Sequence, residues 1–341
     1  MLRYEKEFDP AVTGTPAGAA LAAAPSDSRA APSDGGTMPR DRAPGSSGGT
    51  PAGPGDPPGK PGDPAVPSEE GYAADDAVYV FDDEKAVLAV NVALTIGRPL
   101  LLFGPPGSGK STLAPNVARL LGWEYYAHVV TARTEPEDLL WRFDALRRLN
   151  DAQAHQLDDN SEKYYTKGPL WRAFAASTGR RAVVLIDEID KADPDLPNSL
   201  LGPLGSLSFP VPWNERETVT AQRDLAPFVV ITTNNERELP GPFIRRCVVH
   251  ELAPPTRDHL LLVASSHLGA AYDQEWAGRV ADHILAVREL MPDPATGPST
   301  AEFLDALKAS QQLGIAPGTT AWDELESITL RKRRPGLEPA P

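Results

Sequence analysis

The stretch GPPGSGKS at residues 104–111 decides the fold of this chain. It follows an apolar run, PLLLF at residues 99–103, and precedes a helical pattern at Ser111–Leu121. The stretch satisfies G-x-x-x-x-G-K-[ST], in which the glycines let successive backbone N–H groups turn inward around phosphates. The partial positive charge of the following helix N-terminus adds to the attraction. The pattern therefore predicts a phosphate-binding loop between a buried strand and a helix.

The side chains of this loop fit two separate tasks. Lys110 is expected to reach the β- and γ-phosphates of a nucleotide, and the Ser111 hydroxyl to coordinate Mg²⁺. A glycine-rich turn without a ligand is the alternative, and the flanking strand and helix argue against it. The predicted nucleotide-binding residues are Gly104, Pro105, Pro106, Gly107, Ser108, Gly109, Lys110, Ser111 and Thr112.

A second apolar run, Ala182–Ile186, ends in the carboxylates Asp187 and Glu188. The carboxyl edge of a parallel sheet is where ligands bind, so both side chains are expected beside the phosphate loop. Asp187 is suited to hold Mg²⁺ with Ser111, and Glu188 to polarise an attacking water. We interpret the following Asp190, Lys191 and Asp193 as solvated loop charges.

Two further segments follow the third apolar run, Phe228–Thr232. Asn234 could orient the water between a γ-phosphate and Glu188, although an Asn after a strand is usually a turn former. The segment LPGPFIRR at 239–246 ends in Arg245 and Arg246, which could stabilise charge on a transferring phosphoryl group. A surface arginine pair is the alternative for this segment. The predicted catalytic residues are Glu188, Asn234, Arg246 and Arg245.

Apolar runs and helical patterns alternate up to about residue 254, which predicts a doubly wound α/β domain over residues 73–254. Its strands are predicted at 99–103, 124–131, 182–186 and 228–232. Its helices are predicted at 83–95, 111–121 and 137–149, the last with Thr134 and Glu137 as a capping box. Helical patterns at 257–268, 273–291 and 299–313 predict a small all-helical lid domain over residues 255–330.

The two ends of the chain differ in composition from its middle. The first 70 residues hold 13 Pro and 11 Gly and no apolar periodicity. This composition predicts a disordered Pro/Gly/Ala-rich arm over residues 1–72. Residues 331–341 are expected to form a solvated basic and Pro-containing tail.

Charge and cysteine content limit the classes of partner and compartment. The 47 acidic and 33 basic residues give a formal net charge of −14, which repels phosphate backbones and disfavours nucleic acid as a partner. A single cysteine, Cys247, excludes an intramolecular disulfide and fits a reducing compartment. Neither a secretory signal nor an apolar run of about 18 residues is present, so we expect a cytoplasmic protein without membrane contact.

The four chemistry-bearing segments, in this order, resemble those of the AAA+ ATPases, and within them the MoxR-like group, over about residues 76–330. The resemblance implies a P-loop NTPase fold, a parallel sheet with flanking helices followed by the helical lid. It also implies the following roles: Walker A for Lys110 and Ser111, Walker B for Asp187 and Glu188, sensor 1 for Asn234, and the arginine finger for Arg246, with Arg245 in reserve.

The same resemblance implies ATP and Mg²⁺ as cofactors and a ring-forming homo-oligomer, expected to be hexameric. Its expected activity is ATP hydrolysis that remodels a protein client, such as a von Willebrand factor A-domain protein. The alternative is an ATP-binding, weakly hydrolysing oligomeric switch or scaffold.

Two departures from the family pattern bear on this choice. Residues 202–205 (GPLG) are expected to interrupt a helix that the broader family builds after Walker B. Residues 297–302 (GPSTAE) stand where MoxR-like proteins place a Ser-Pro-Arg segment, and they contain no arginine. Arg279 and Arg288 are the alternatives for this sensor-2 position.

Overall fold

The computed structural model describes residues 8–10, 78–176, 179–291 and 297–330. These ranges belong to one compact unit of the chain. The predicted tail at 331–341, and the predicted arm except for Phe8–Pro10, lie outside the described residues.

The strands among the described residues are β1 (Leu100–Phe103), β2 (Glu124–Val129), β3 (Trp141–Phe143), β4 (Tyr165–Lys167), β5 (Ala182–Asp187), β6 (Ser208–Val211), β7 (Asn214–Thr220), β8 (Phe228–Thr232) and β9 (Val248–Glu251). The α-helices are α1 (Glu84–Ile96), α2 (Lys110–Leu121), α3 (Ala145–Gln153), α4 (Pro169–Ala175), α5 (Asp195–Ser206), α6 (Gly241–Ile244), α7 (Arg257–Leu268), α8 (Gln274–Glu289), α9 (Thr300–Leu313) and α10 (Thr320–Thr329).

Five parallel strands form the central sheet in the order β2-β5-β8-β1-β9. Alternate residues of a strand point to opposite faces, so apolar runs such as Leu100–Leu102 must be covered on both sides. Leu100 and Leu102 pack with α1 and α2 on one face, whereas Leu101 packs with α4, α5 and α6 on the other. The predicted parallel sheet with flanking helices is therefore confirmed.

The predicted helix at 137–149 is wrong in its first half. Residues 136–139 form a short 3₁₀ turn, β3 follows, and α3 begins only after its N-cap, Asp144. The capping box joins Glu135 to Asp138 rather than Thr134 to Glu137. Antiparallel pairing of β3 with β4, with the Trp141 and Tyr165 rings 5.5 Å apart, overrides the local helical pattern.

The expected interruption at 202–205 is also wrong, because α5 continues through it to Ser206. Leu196, Leu200 and Leu204 lie on the buried face of α5, while Gly202 and Gly205 are exposed. Burial of one apolar face outweighs the low helix propensity of the glycines and of Pro203.

The region after residue 255 is helical, as predicted, and α10 is an additional helix that the sequence analysis missed. Side chains from α7, α8, α9 and α10 share one core, which includes Leu260, Ile284, Phe303 and Trp322, all fully buried. Within the ranges given above, no helix is long and apolar enough to cross a membrane.

At the other end of the chain, Phe8 is fully buried against the face of the sheet that α1 and α2 cover. The prediction of a disordered arm did not anticipate this contact.

Candidate functional site

The loop between β1 and α2 has a backbone that only glycine adopts at low cost. Gly104, Gly107 and Gly109 have φ angles of 144°, 72° and 88°, in the region that disfavours other residues. A Cβ at Gly104 would also lie 2.8 Å from the carbonyl oxygen of Leu252. The spacing of glycines in the sequence is therefore required by the loop geometry.

Lys110 is the first residue of α2, and only 6% of it is exposed. Its Nζ donates to the carbonyl oxygens of Gly104 (2.7 Å) and Pro105 (2.8 Å), so the ammonium lies inside the curve of the loop. Burial lowers the pKa of the Lys110 ammonium, while the charges of Asp187, Asp190 and Glu188 act in the opposite direction. The ammonium is thus held where a phosphate enclosed by the loop would meet it.

Asp187 ends the buried strand β5 and joins three elements of the site. Its Oδ1 accepts hydrogen bonds from the hydroxyls of Ser111 (2.8 Å) and Thr232. The Thr232 hydroxyl in turn accepts from the backbone N–H of Glu188 at 2.9 Å. Thr232 was not among the predicted site residues, although its place at the end of β8, beside β5, could have indicated it.

Glu188 stands in a strained conformation next to Asn234. Its φ of 59° is left-handed, which costs a non-glycine residue on the order of 1 kcal/mol or more and is found at functional sites. The Asn234 Nδ2 donates to Glu188 Oε1 at 3.1 Å. The structure therefore brings these two predicted residues together at adjacent strand ends.

The interpretation of Asp190 as a solvated charge is wrong. Asp190 is 3% exposed, and its Oδ2 accepts from the backbone N–H of Glu236 at 2.8 Å. Lys191 is more exposed, and its ammonium pairs with the Glu236 carboxylate at 2.6 Å. The short 3₁₀ turn after Glu188 buries one of these charges and leaves the other at the surface.

These groups line a pocket with a cavity of about 320 Å³. One part of its lining is the predicted set from Pro106 to Thr112 together with Asp187, Glu188 and Asn234. The other part was missed by the sequence analysis: Val78, Tyr79, Val80, Thr232, His259, Val263, His267, Thr300, Ala301 and Leu304. A segment before α1 and two helices of the C-terminal region thus complete the pocket.

Helix α9 reaches the phosphate loop with its N-terminus. A Cβ at Gly107 would lie 2.1 Å from the Cβ of Ser299, the N-cap residue of α9. The buried hydroxyls of Thr300, on α9, and Ser108, on the loop, have no hydrogen-bond partner in the described part of the chain. Ser108 and Thr300 both line the pocket, so these two unsatisfied hydroxyls are available to a ligand bound there.

Comparison with known proteins identifies this part of the chain. Residues 99–247 match the family described as "AAA domain (dynein-related subfamily)". These residues are therefore similar to an AAA domain. The phosphate loop, the Asp187–Glu188 strand and Asn234 all fall within the matched residues.

Curated proteins similar to this chain include Lon proteases. The protein from Brucella melitensis is 29% identical over 180 residues, and the one from Escherichia coli K12 is 28% identical over 180 residues. Each match covers 50% of this chain and 20% of the relative, so the chain spans about a fifth of the length of these relatives.

Solved structures similar to this chain include the Thermotoga maritima RuvB Holliday junction branch migration motor, at 18% identity and a TM-score of 0.40. That match covers 72% of this chain and 67% of the other chain. A mutant of the same motor gives 17% identity, coverage of 72% and 68%, and a TM-score of 0.43.

Arg245 and Arg246, the last of the predicted site residues along the chain, lie just after α6. Both side chains are exposed, and neither lines the pocket. The structure therefore does not bring the two arginines to the same site as Lys110 and Glu188.

The two alternatives for a sensor-2 arginine also lie outside the pocket lining. Arg279 is exposed and donates to the carbonyl oxygen of Pro317 at 2.7 Å. Arg288 is buried and donates to the carbonyl oxygen of Pro298, directly before the N-cap of α9. Arg288 thus fixes the start of α9 rather than contacting a ligand.

The donor set of the pocket fits a magnesium-bound nucleotide. Ser111 Oγ and Asp187 Oδ1 are hard oxygen ligands 2.8 Å apart, beside the loop that would hold the phosphates. No cluster of three or more His, Cys, Asp or Glu side chains suited to a metal occurs among the described residues. Mg²⁺ in nucleotide sites is usually bound by one or two protein oxygens plus phosphates, so the two donors suffice.

Proposed function

We propose that this chain binds Mg-ATP and hydrolyses it, as a MoxR-like AAA+ ATPase that remodels protein complexes. The observation that carries the proposal is the Glu188–Asn234 pair, which lies on the same pocket as the phosphate loop. A site that only held a nucleotide would not need a strained carboxylate beside the position of the terminal phosphate.

Binding rests on the loop between β1 and α2. Its backbone N–H groups and the N-terminus of α2 would surround the phosphates, and Lys110 would exchange its two carbonyl partners for β- and γ-phosphate oxygens. Ser111 and Asp187 would hold Mg²⁺, whose charge, when it is bound, offsets the negative charge that accumulates on the phosphates.

Hydrolysis rests on Glu188. Its carboxylate would accept a proton from the attacking water, and the Asn234 amide, at 3.1 Å from Oε1, would fix the carboxylate's orientation. The backbone N–H of Glu188 donates to the Thr232 hydroxyl, which in turn donates to the Asp187 carboxylate. These two hydrogen bonds would keep the Glu188 and Asp187 carboxylates in fixed relative positions.

Assembly would complete the site. The exposed Arg246, or Arg245, would enter the pocket of a neighbouring copy in a ring, which we propose to be hexameric. ATP turnover within residues 73–254, transmitted through the lid at 255–330, would then act on a protein client such as a von Willebrand factor A-domain protein.

One observation favours a second function, that of a weakly hydrolysing switch or scaffold. The described residues that line the pocket include no arginine. Apart from the two histidines, Lys110 is the only basic side chain among them. A site with so little positive charge would bind ATP and hydrolyse it slowly unless a neighbour supplies a cation.

The variant Glu188→Gln separates the two functions, because it keeps the side-chain size and removes the general base. We expect ATP binding, measured by calorimetry, to persist while turnover falls by about 10²-fold or more. Glu238→Gln, at an exposed position outside the pocket, is the matched control. Wild-type turnover no higher than that of Glu188→Gln, under any condition of assembly, would favour the switch.

A further inference from the structure

The N-terminal segment Phe8–Pro10 is bound to α1 through a single buried amide. The Asn91 Oδ1 accepts from the backbone N–H of Phe8 at 2.8 Å, and the Asn91 Nδ2 donates to the carbonyl oxygen of Phe8 at 2.7 Å. The Phe8 ring is fully buried, and Asn91 is 3% exposed. We call these two residues and Phe81, which packs on the Phe8 ring, the Phe8 anchor.

The side-chain amide of Asn91 has hydrogen-bond partners for its oxygen and both of its N–H groups only when Phe8 is in place. Its second N–H donates to the carbonyl oxygen of Val87 at 2.9 Å, so both amide protons are used. Removal of the Phe8 backbone would leave a buried donor and a buried acceptor of Asn91 without partners, which is unfavourable. The site therefore binds both backbone polar groups of one residue and the ring that it carries.

A chain of aromatic contacts leads from this anchor to the phosphate loop. The Phe8 and Phe81 rings are 5.1 Å apart, and the Phe81 and Tyr79 rings are 4.6 Å apart, both edge-to-face. The Tyr79 ring in turn lies 3.0 Å from the position of a Cβ on Gly109. Packed rings of this kind hold a fixed arrangement, so a change at Phe8 would reach Gly109 through two intervening side chains.

The same segment, residues 78–83, forms part of the pocket and is bound to helix α7. Val78, Tyr79 and Val80 line the cavity. The carbonyl oxygen of Val78 is 3.1 Å from Nε2 of His267, and the Asp82 carboxylate is 2.8 Å from Nδ1 of His259. Residues 78–83 thus lie between the Phe8 anchor, the phosphate loop and the helical region.

We propose that Phe8 is a positioning residue for the nucleotide. Its docking at Asn91 and Phe81 holds residues 78–83, including Tyr79, against the pocket. Binding of Phe8 at the anchor therefore controls the affinity of the pocket for nucleotide. The inference rests on the proposed function in that the pocket binds ATP. The ligand of the anchor site is a peptide with an aromatic side chain, supplied by residues 8–10 of the same chain.

The test uses full-length Phe8→Ala and measures two independent quantities. ATP affinity, by calorimetry, should fall about tenfold, which lies within the range of coupling carried through packed side chains. Hydrogen exchange without nucleotide should increase at residues 78–83. Phe143→Ala, at a partly exposed phenylalanine outside the pocket, is the control and should change neither quantity. Phe8→Leu, which keeps apolar volume and loses the ring contact, serves if Phe8→Ala does not fold.

Addition of a peptide distinguishes positioning from a general loss of stability. A synthetic peptide of residues 2–12, added at saturating concentration to Phe8→Ala, should restore ATP affinity and the exchange protection of residues 78–83. The same peptide with alanine in place of Phe8 should restore neither. Wild-type affinity and exchange in folded Phe8→Ala, or no rescue by the first peptide, would overturn the inference. A wild-type chain that binds no ATP would contradict the proposed function, and the exchange measurement would still decide the role of the anchor.

Discussion

The pocket has two walls of different construction. The phosphate wall consists of residues 104–111, Asp187, Glu188 and Asn234. Its Lys110, Ser111, Asp187, Glu188 and Asn234 side chains are hydrogen-bonded to groups of the same wall, whereas the Ser108 hydroxyl has no partner among the described residues. The lid wall consists of His259, Val263, His267, Thr300 and Leu304, and it offers apolar side chains and the N-terminus of α9. One wall carries charge on a rigid sheet edge, whereas the other is carried by helices with their own core.

The difference indicates a division of tasks. Groups that must keep sub-ångström geometry during a reaction are those held by buried strands, since packed strands restrict their motion. A wall on a separate helical core can shift as a body and change the affinity without altering the reacting groups. Arg245 and Arg246 lie in neither wall, so in this chain a cation that stabilises the reaction would come from a third surface.

The largest expected effect concerns that third surface. We expect the double variant Arg245→Ala/Arg246→Ala to bind ATP with nearly unchanged affinity and to lose about 10³-fold or more in turnover, the range that arginine fingers contribute. The reason is that neither side chain reaches its own pocket, so ground-state binding does not depend on it. Turnover should be measured over a range of protein concentrations.

Both single variants are needed as well, because one arginine could replace the other. The adjacent exposed pair Arg147→Ala/Arg148→Ala, on α3, is a matched control for the loss of two surface charges. Full wild-type turnover in the double variant would exclude this segment as the finger. Turnover that stays constant down to demonstrable monomers would exclude a contribution from a neighbour.

The next largest effect breaks the phosphate wall itself. Lys110→Ala should weaken ATP binding by on the order of 10²-fold, since it leaves the phosphate charge buried beside carboxylates without its partner. Lys85→Ala, at an exposed lysine on α1, removes the same charge far from the loop and should bind normally. Calorimetry on both folded variants decides the matter, and equal affinities would refute the assignment of the loop.

The phosphate wall could be predicted from the sequence because its residues are local to strand ends. The glycine-rich loop, the strand ending in Asp-Glu and the Asn after a strand can each be located from the residues next to them in the sequence. Thr232 was missed because its role depends on the register of β8 beside β5, where Ile186 pairs with Ile231. Strand β9 was missed because it is a short edge strand that contains His250 and Glu251 and pairs only with β1.

The lid wall could not be predicted because its contacts join residues far apart in the chain. Ser299 lies against Gly107, and His259 contacts Asp82, although the members of each pair are far apart in the sequence. A pattern within one segment cannot predict such contacts. The docking of Phe8 on Asn91, 83 residues away, is of the same kind. In the segment 137–149, pairing of β3 with β4 replaced the first half of the predicted helix. This pairing also joins residues more than 20 positions apart, so the helical pattern of the segment alone could not reveal it.

A third prediction concerns the contact between the two walls. Gly107→Ala would place a Cβ 2.1 Å from the Cβ of Ser299, so the N-terminus of α9 must move away from the loop. We expect ATP affinity to fall about tenfold, because the unpartnered hydroxyl of Thr300 would move with it and a displaced polar contact costs about 1 kcal/mol or more.

The control for this variant is Gly97→Ala. Gly97 has a φ of 65°, similar to the 72° of Gly107, but nothing lies within 4 Å of its Cβ position. It should therefore lower the midpoint of thermal unfolding through the same backbone strain without weakening ATP binding. Ser299→Gly in the Gly107→Ala background removes the clash and should restore part of the affinity, since glycine is tolerated at an N-cap.

The smallest expected effect belongs to the apolar part of the lid wall. Leu304 lies on α9 one turn after Thr300 and lines the cavity, so Leu304→Ala would expose part of a bound ligand's apolar surface to water. Burial of part of a leucine side chain is worth about 1 kcal/mol, which corresponds to about a fivefold loss of ATP affinity. Leu313 lies at the end of the same helix and is 69% exposed. Leu313→Ala makes the same truncation away from the pocket, so this variant should bind ATP as the wild type does.

Turnover at saturating ATP should remain unchanged in Leu304→Ala, because Glu188 and Asn234 are held by strands that the substitution does not touch. A loss of turnover at saturation equal to the loss of affinity would show that the lid wall takes part in the reaction, and the division between the two walls would then fail.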